Sequence, residues 1–182
     1  MNQQPYIDAT RNWLESVVID LNLCPFAKRE LVKARIRFAV TDAVTDDSLL
    51  LALHDELQVL DTDESVATTL LIHPQALQDF HHYNDFLAEA DGLLAHLGYE
   101  GTYQIASFHP DYQFGGTEPD DVENYTNRSP YPMLHLLRED SLAEVIDSYP
   151  DTDTIPRDNV ERVTALGSEH MRALLKRCLS ES

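Results

Sequence analysis

Hydrophobic residues follow two patterns along this chain, and the first pattern has the spacing of a helix. Apolar residues recur every three or four positions in several stretches, which predicts amphipathic helices. Pro25 stops the first of these stretches and Gly98 closes the third, as is typical of helix ends. The predicted helices cover residues 7–21, 45–60, 77–97, 142–149 and 156–179, the last interrupted at Gly167.

The second pattern is typical of strands: apolar and polar residues alternate strictly, or β-branched apolar residues form short runs. The last of these runs could instead begin a helix, because Ser129 and Pro130 form an acceptable cap. Asp140 and Ser141 are the better helix start, so we interpret the run before them as a strand. The predicted strands are residues 34–40, 66–74, 102–110 and Met133–Arg138.

The order strand, helix, strand, helix, strand predicts right-handed crossovers and parallel strands. A loop alone precedes the fourth strand, so that strand could pair antiparallel. We therefore expect an α/β sandwich with a mainly parallel, mixed sheet of about four strands and helices packed on it. A ferredoxin-like α/β sandwich is the competing fold. At 182 residues and 43% apolar, the chain fits one domain over residues 1–182 with a sizeable core.

The charge is strongly negative and unevenly distributed. A formal net charge of -19 repels nucleic-acid phosphates and anionic membranes, so we expect neither partner. Five basic residues nevertheless fall within ten positions, so a small anion could still find a positive pocket. They are Lys28, Arg29, Lys33, Arg35 and Arg37.

The targeting and cysteine patterns predict a cytoplasmic protein. No apolar run reaches the roughly 20 residues of a membrane span, and the first residues lack a secretory signal. Cys24 and Cys178 form neither a disulfide framework nor a zinc pattern. Because Cys24 follows a predicted helix, where the dipole disfavours a thiolate, we interpret it as a packing residue.

The densest polar chemistry follows the second and third predicted strands. Both end in His-Pro, at His73 and His109, and a long polar loop over residues 111–130 follows the latter. Ligands of open α/β sheets bind at the carboxyl edge, so we expect a pocket there, formed by residues 109–130. Its candidate catalytic residues are His109, Asp111 and Asp121, and its candidate substrate-binding residues are Asn124, Asn127 and Arg128.

Two further candidates lie on the fourth strand. His135 could be a general acid or base, or a buried histidine bonded to the backbone. Arg138 could bind substrate, although period-two alternation places it on the opposite face from His135. Arg128 could hold a carboxylate or phosphate with two parallel hydrogen bonds, or pair with a protein carboxylate.

The acidic and histidine side chains suggest no definite metal centre. They lack a fixed ligand spacing, so a solvated acidic loop is the favoured interpretation over a metal site. The sequence leaves the cofactor unknown.

Four segments together resemble a known family. "NLCPFAK", "TTLLIHP", "ASFHPDYQF" and "NYTNRSPYPMLHLLRE", in that order, are similar to an uncharacterised bacterial family, domain of unknown function number fourteen-fifteen. The resemblance implies a single cytoplasmic domain and supplies no catalytic residues.

Three functions are compatible with these features. The first is a hydrolase or group transferase acting on a small polar or anionic substrate. The second is a non-catalytic ligand-binding or regulatory domain with the same pocket. The third is a purely structural polar network that fixes the long loop on the sheet.

Overall fold

The computed structural model describes residues 2–141 and 152–180, so the helix predicted for 142–149 lies outside the described residues. The α-helices of the described part are α1 (Gln4–Trp13), α2 (Ala27–Val32), α3 (Asp46–Thr62), α4 (Phe80–His96), α5 (Ile155–Leu166) and α6 (Ser168–Ser180). The strands are β1 (Ile36–Val40), β2 (Thr68–Ile72), β3 (Tyr103–Phe108) and β4 (Met133–Arg138). A π-helical turn (Leu14–Ile19) extends α1, and short 3-10 helices cover Val122–Thr126 and Thr152–Thr154.

The four strands form one mixed sheet in the order β1-β2-β4-β3. β1 and β2 are parallel, and β4 pairs antiparallel with both β2 and β3. β1, β2 and β3 therefore share one direction and β4 alone opposes it. The prediction of an α/β sandwich with about four strands is confirmed, including the antiparallel fourth strand. A ferredoxin-like sheet is not found, because β1 and β2 are parallel neighbours joined through α3.

Helices cover both faces of this sheet, and strand alternation decides which residues each face buries. Thr69, Leu71, Leu134 and Leu136 point to the face covered by α3 and α4. The alternate residues point to the face covered by α1, its π-helical extension, α5 and α6. They are Thr68, Leu70, Ile72, Met133, His135 and Leu137.

Local sequence signals explain most element boundaries. Thr45 caps α3 through a reciprocal bond with Ser48, and Asp79 caps α4 by accepting from the amide of His82. α4 begins at Phe80 rather than at the predicted residue 77, because Leu77 adopts a left-handed conformation with φ 53°. The break at Gly167, with φ 84°, is confirmed between α5 and α6.

Two features around the first helix differ from the prediction. Its regular part ends at Ile19, two residues before the predicted end, and the chain then turns at Asn22 (φ 52°), where the amide of Leu23 donates to the carbonyl of Val18 at 2.8 Å. The segment before β1, interpreted as a plain connection, contains α2. That helix has six residues and buries none of them, so it left no hydrophobic repeat to detect.

Among the described residues, no helix combines the length and the apolarity that crossing a membrane would need.

Candidate functional site

A cavity of about 360 Å³ lies between the sheet and the first helix, and strand register fixes its floor. Ile36, Thr68 and Leu137 are directly aligned across β1, β2 and β4, and Leu70 and His135 form the next row. The cavity thus covers the amino-terminal halves of the two parallel strands. The predicted location was the opposite, carboxyl edge, and no residue of the 109–130 loop lines this cavity.

The walls come from the first helix and from the turn that precedes α2. Trp13, Leu14 and Val18 form one wall, and the last two belong to the π-helical turn. A π-helical turn adds a residue to the helix and is frequent at functional sites. Phe26 and Ala27 form the other wall. The surface that a ligand would meet is therefore mainly apolar.

His135 is the principal polar group on the floor, and one hydroxyl fixes its protonation. The Thr68 hydroxyl lies 2.6 Å from the Leu136 carbonyl oxygen and 2.8 Å from Nε2 of His135. The carbonyl can only accept, so it takes the single hydroxyl proton, and Nε2 must then donate to the Thr68 oxygen. The neutral imidazole consequently carries its proton on Nε2 and leaves Nδ1 as an acceptor.

The environment keeps this imidazole neutral. Burial lowers the pKa of His135 to about 4. Within the described part of the chain, Nδ1 has no hydrogen-bond partner, and the side chain is partly exposed at the cavity. At neutral pH the cavity therefore contains an unprotonated imidazole nitrogen that is free to bind or to accept a proton.

Cys24 lines the same cavity from the turn before α2. Burial raises the pKa of the Cys24 thiol, and the nearby backbone amides of Phe26 and Ala27 oppose that effect. The sequence-based argument placed Cys24 at the negative end of a helix, but the first helix ends five residues earlier, at Ile19. The thiol lies instead beside two backbone donors.

Basic residues form part of the cavity rim, where the sequence has its basic run. Arg29 and Arg35 both line it and share one partner, Glu30, at 2.7 and 3.6 Å. Each pair involves one guanidinium nitrogen, so both arginines keep further donors, and their side chains are 56% and 38% exposed. The rim carries one net positive charge from these three residues.

The predicted loop residues lie together, but their polar atoms bind the loop itself. Arg128 donates to the carbonyls of Tyr112 and Pro119, at 3.2 and 2.6 Å, and stacks on the Tyr125 ring at 4.5 Å. Buried Asn124 accepts from the Phe114 amide and donates to the Glu118 carbonyl. These bonds connect the two halves of the loop.

Of the remaining loop candidates, Asn127 joins this network to the sheet, whereas Asp121 and Asp111 make bonds within the loop and to His109. Asn127 donates to the Ser107 carbonyl at the end of β3, and Asp121 accepts from the amide of Glu118. Asp111 approaches His109 through its backbone amide, which donates to Nδ1 at 3.0 Å.

The two strand-ending histidines do meet, as their shared edge predicted. Their rings flank Tyr83, with centroids 5.9 Å away for His73 and 5.0 Å for His109. His109 is fully buried and its Nε2 contacts the Leu77 carbonyl at 3.1 Å. Burial lowers the pKa of both, to about 4 for His73. Both nitrogens of His109 thus bind the backbone.

Arg138 joins the cavity to the α3–β2 connection. It lines the cavity, yet its guanidinium donates to the carbonyls of Leu60, Asp63 and Val66. Those bonds satisfy carbonyl groups at and after the end of α3. Of the eight predicted site residues, His135 and Arg138 are the two that line the cavity.

The sequence-based prediction did not include Cys24, Thr68, Arg29 and Arg35, which also line the cavity. The basic run was a signal for the arginines, whereas nothing local distinguishes Thr68 from its neighbour Thr69. Among the described residues, no group of three or more histidine, cysteine or acidic side chains could hold a metal ion.

Comparison with known proteins identifies the family alone. A family model described as "Protein of unknown function (DUF1415)" matches residues 5–173, so the chain belongs to that family. No curated protein and no solved structure matches the chain.

Proposed function

We propose that this DUF1415 protein is an enzyme, a hydrolase or group transferase, that acts on a small molecule bound in the cavity over β2 and β4. The observation that carries the proposal is the neutral His135, which lines the cavity and whose Nδ1 has no hydrogen-bond partner among the described residues. An imidazole with one nitrogen fixed and the other free is typical of a general base.

The lining supports a ligand with an apolar body and one anionic group. Burying an apolar group against Trp13, Leu14 and Leu70 gains roughly 25 cal/mol per Å². The spare donors of Arg29 and Arg35 suit a carboxylate or similar anion at the rim. In a chain of net charge -19, a locally positive rim favours an anion there.

A non-catalytic ligand-binding domain is the alternative, and the low pKa of His135 favours it. A base whose conjugate acid has a pKa of about 4 is weak at neutral pH. In that case His135 would accept a hydrogen bond from the ligand without taking its proton.

The proposed setting is the cytoplasm, with a small molecule rather than a nucleic acid or a membrane as partner. Neither Cys24 nor Cys178 is part of a disulfide, which is the usual state in a reducing compartment.

Trp13 makes the binding proposal testable without knowing the natural ligand. It is the one tryptophan of the chain and it lines the cavity. We expect 8-anilinonaphthalene-1-sulfonate, an aromatic anion, to quench Trp13 emission on binding and to gain emission by energy transfer. Arg35→Gln should weaken binding about fivefold, the value of one exposed ion pair. Arg157→Gln, an exposed arginine on α5, should leave the affinity unchanged.

A cavity-filling variant tests the location. Leu137→Phe adds volume to the floor without removing a polar group. It should abolish the Trp13 response while the thermal melt stays cooperative. Unaltered binding in both Leu137→Phe and Arg35→Gln would place the ligand elsewhere and refute the proposal.

A further inference from the structure

We propose that Cys24 is the nucleophile of this cavity and that small carboxylic esters or thioesters with an apolar acyl group acylate it. The inference rests on the proposed function, because it uses the same cavity and takes His135 as the base. It adds the reacting atom and the chemical class of the substrate.

The first argument is the contrast between the two cysteines. Cys178 is 2% exposed and lies between α6 and the first helix, with its sulfur 3.2 Å from the Leu174 carbonyl and 3.5 Å from the Ser16 hydroxyl. That is the environment of a packing residue. Cys24 is partly exposed and lines the cavity that also contains the free nitrogen of His135.

The second argument is electrostatic. The backbone amides of Phe26 and Ala27 lower the pKa of the Cys24 thiol, so charge that develops on the sulfur meets fixed dipoles. Burial keeps both the thiol and the imidazole uncharged at rest. A neutral thiol needs a proton acceptor at the moment of attack, and the unprotonated Nδ1 of His135, although a weak base, lies in the same cavity and can take that proton.

The third argument concerns the substrate. The apolar walls, which include Leu14, Val18 and Phe26, suit a short acyl chain rather than a sugar or a phosphate. In the reaction, the Cys24 sulfur bonds to the acyl carbon while the bond from that carbon to the leaving oxygen or sulfur breaks. The thiol proton passes to Nδ1 of His135 and then to the leaving group. Water attacks the resulting thioester, which releases the carboxylic acid and restores the thiol.

p-Nitrophenyl butyrate is a suitable probe, because release of nitrophenolate and acylation of the protein are measured separately. We expect a rapid release equal to one acyl group per chain, and intact-mass and peptide analysis should place that group on Cys24. Cys24→Ala should remove the rapid phase, whereas Cys178→Ala should keep it. His135→Gln should slow it about tenfold, less than the usual contribution of a positioned base, because a pKa of about 4 makes His135 a weak base. Circular dichroism would verify that each variant is folded.

The outcomes separate this inference from the proposed function. If the anilinonaphthalene anion binds the cavity but the acyl group is absent, or lies on a lysine or on Cys178, Cys24 is not the nucleophile and the binding proposal stands. If Cys24 is acylated at the same rate in wild type and in His135→Gln, the assignment of His135 as the base fails and Cys24 remains the reactive group. A rapid phase that survives Cys24→Ala overturns the inference directly.

Discussion

Replacing Thr68 by valine should remove the hydrogen bonds that fix the tautomer of His135. Thr68→Val preserves the size and branching of the side chain while removing the oxygen that binds both the Leu136 carbonyl and Nε2 of His135. The buried Nε2 proton then loses its acceptor. An unpaired buried group costs about 1–3 kcal/mol, so we expect the free energy of unfolding to fall by roughly 2 kcal/mol. For a chain of this size that lowers Tm by about 4–8 °C.

The adjacent residue supplies a matched control. Thr69 is fully buried, and among the described residues its hydroxyl has no hydrogen-bond partner. Thr69→Val therefore removes an unsatisfied polar atom, and we expect it to leave stability unchanged or to raise it by roughly 1 kcal/mol. The same substitution at neighbouring positions of one strand should thus lower stability at Thr68 but not at Thr69.

Urea unfolding followed by Trp13 fluorescence measures both free energies. Nitrogen-15 NMR of the histidine rings gives the second observable, because the Nε2-protonated tautomer of His135 should dominate in wild type and in Thr69→Val. Equal stability losses in the two variants, or an Nδ1-protonated His135 in wild type, would refute the assignment of the hydrogen-bond network.

Two further predictions concern the buried histidines and the long loop. The folded-state pKa of His73, about 4, lies below its ordinary value of 6.5, so its stabilising effect is complete above pH 6.5 and is lost as pH falls toward 4. The pKa of His135 is also about 4, so each of these two histidines should contribute a loss on the order of 3 kcal/mol across that range. In urea unfolding, His73→Asn should remove the His73 part of the loss, whereas the exposed His96→Asn should leave the whole loss intact. Arg128→Ala should lower the unfolding free energy by about 1–3 kcal/mol, since it removes two bonds to loop carbonyls, and the anilinonaphthalene affinity should persist. If Arg128→Ala loses affinity for the anilinonaphthalene anion while its unfolding free energy is unchanged, Arg128 is a ligand-binding residue after all.

Hydrophobic spacing was sufficient to predict the sheet and most of the helices. β4 was predicted with its observed bounds, because Met133, His135 and Leu137 share one face and Leu134 and Leu136 the other. The signal is strong where both faces of a strand are covered by helices. It failed for α2, whose residues are not buried, and at Asn22, where a left-handed turn ends the first helix.

The cavity was harder to predict because its polar residues are isolated in the sequence. Thr68 and His135 are 67 positions apart and meet only through the antiparallel pairing of β2 with β4. Cys24 comes from a turn whose position depended on where the first helix ends. A single sequence shows local clusters of polar residues, and here the cluster with the most chemistry binds its own backbone.

That cluster nevertheless supports the cavity. The Arg128 carbonyl accepts a hydrogen bond from Nε1 of Trp13 at 3.0 Å, and Trp13 packs edge-to-face on Phe108 with ring centroids 5.2 Å apart. Both aromatic rings line the cavity, one from the first helix and one from the end of β3. The loop therefore fixes the orientation of a wall, because a tryptophan whose indole nitrogen is bonded cannot rotate into the empty space without losing that bond. The bonded indole therefore keeps this wall of the cavity rigid, and His135 lines the same cavity, so the arrangement has the preorganisation that the proposed binding of a small molecule requires.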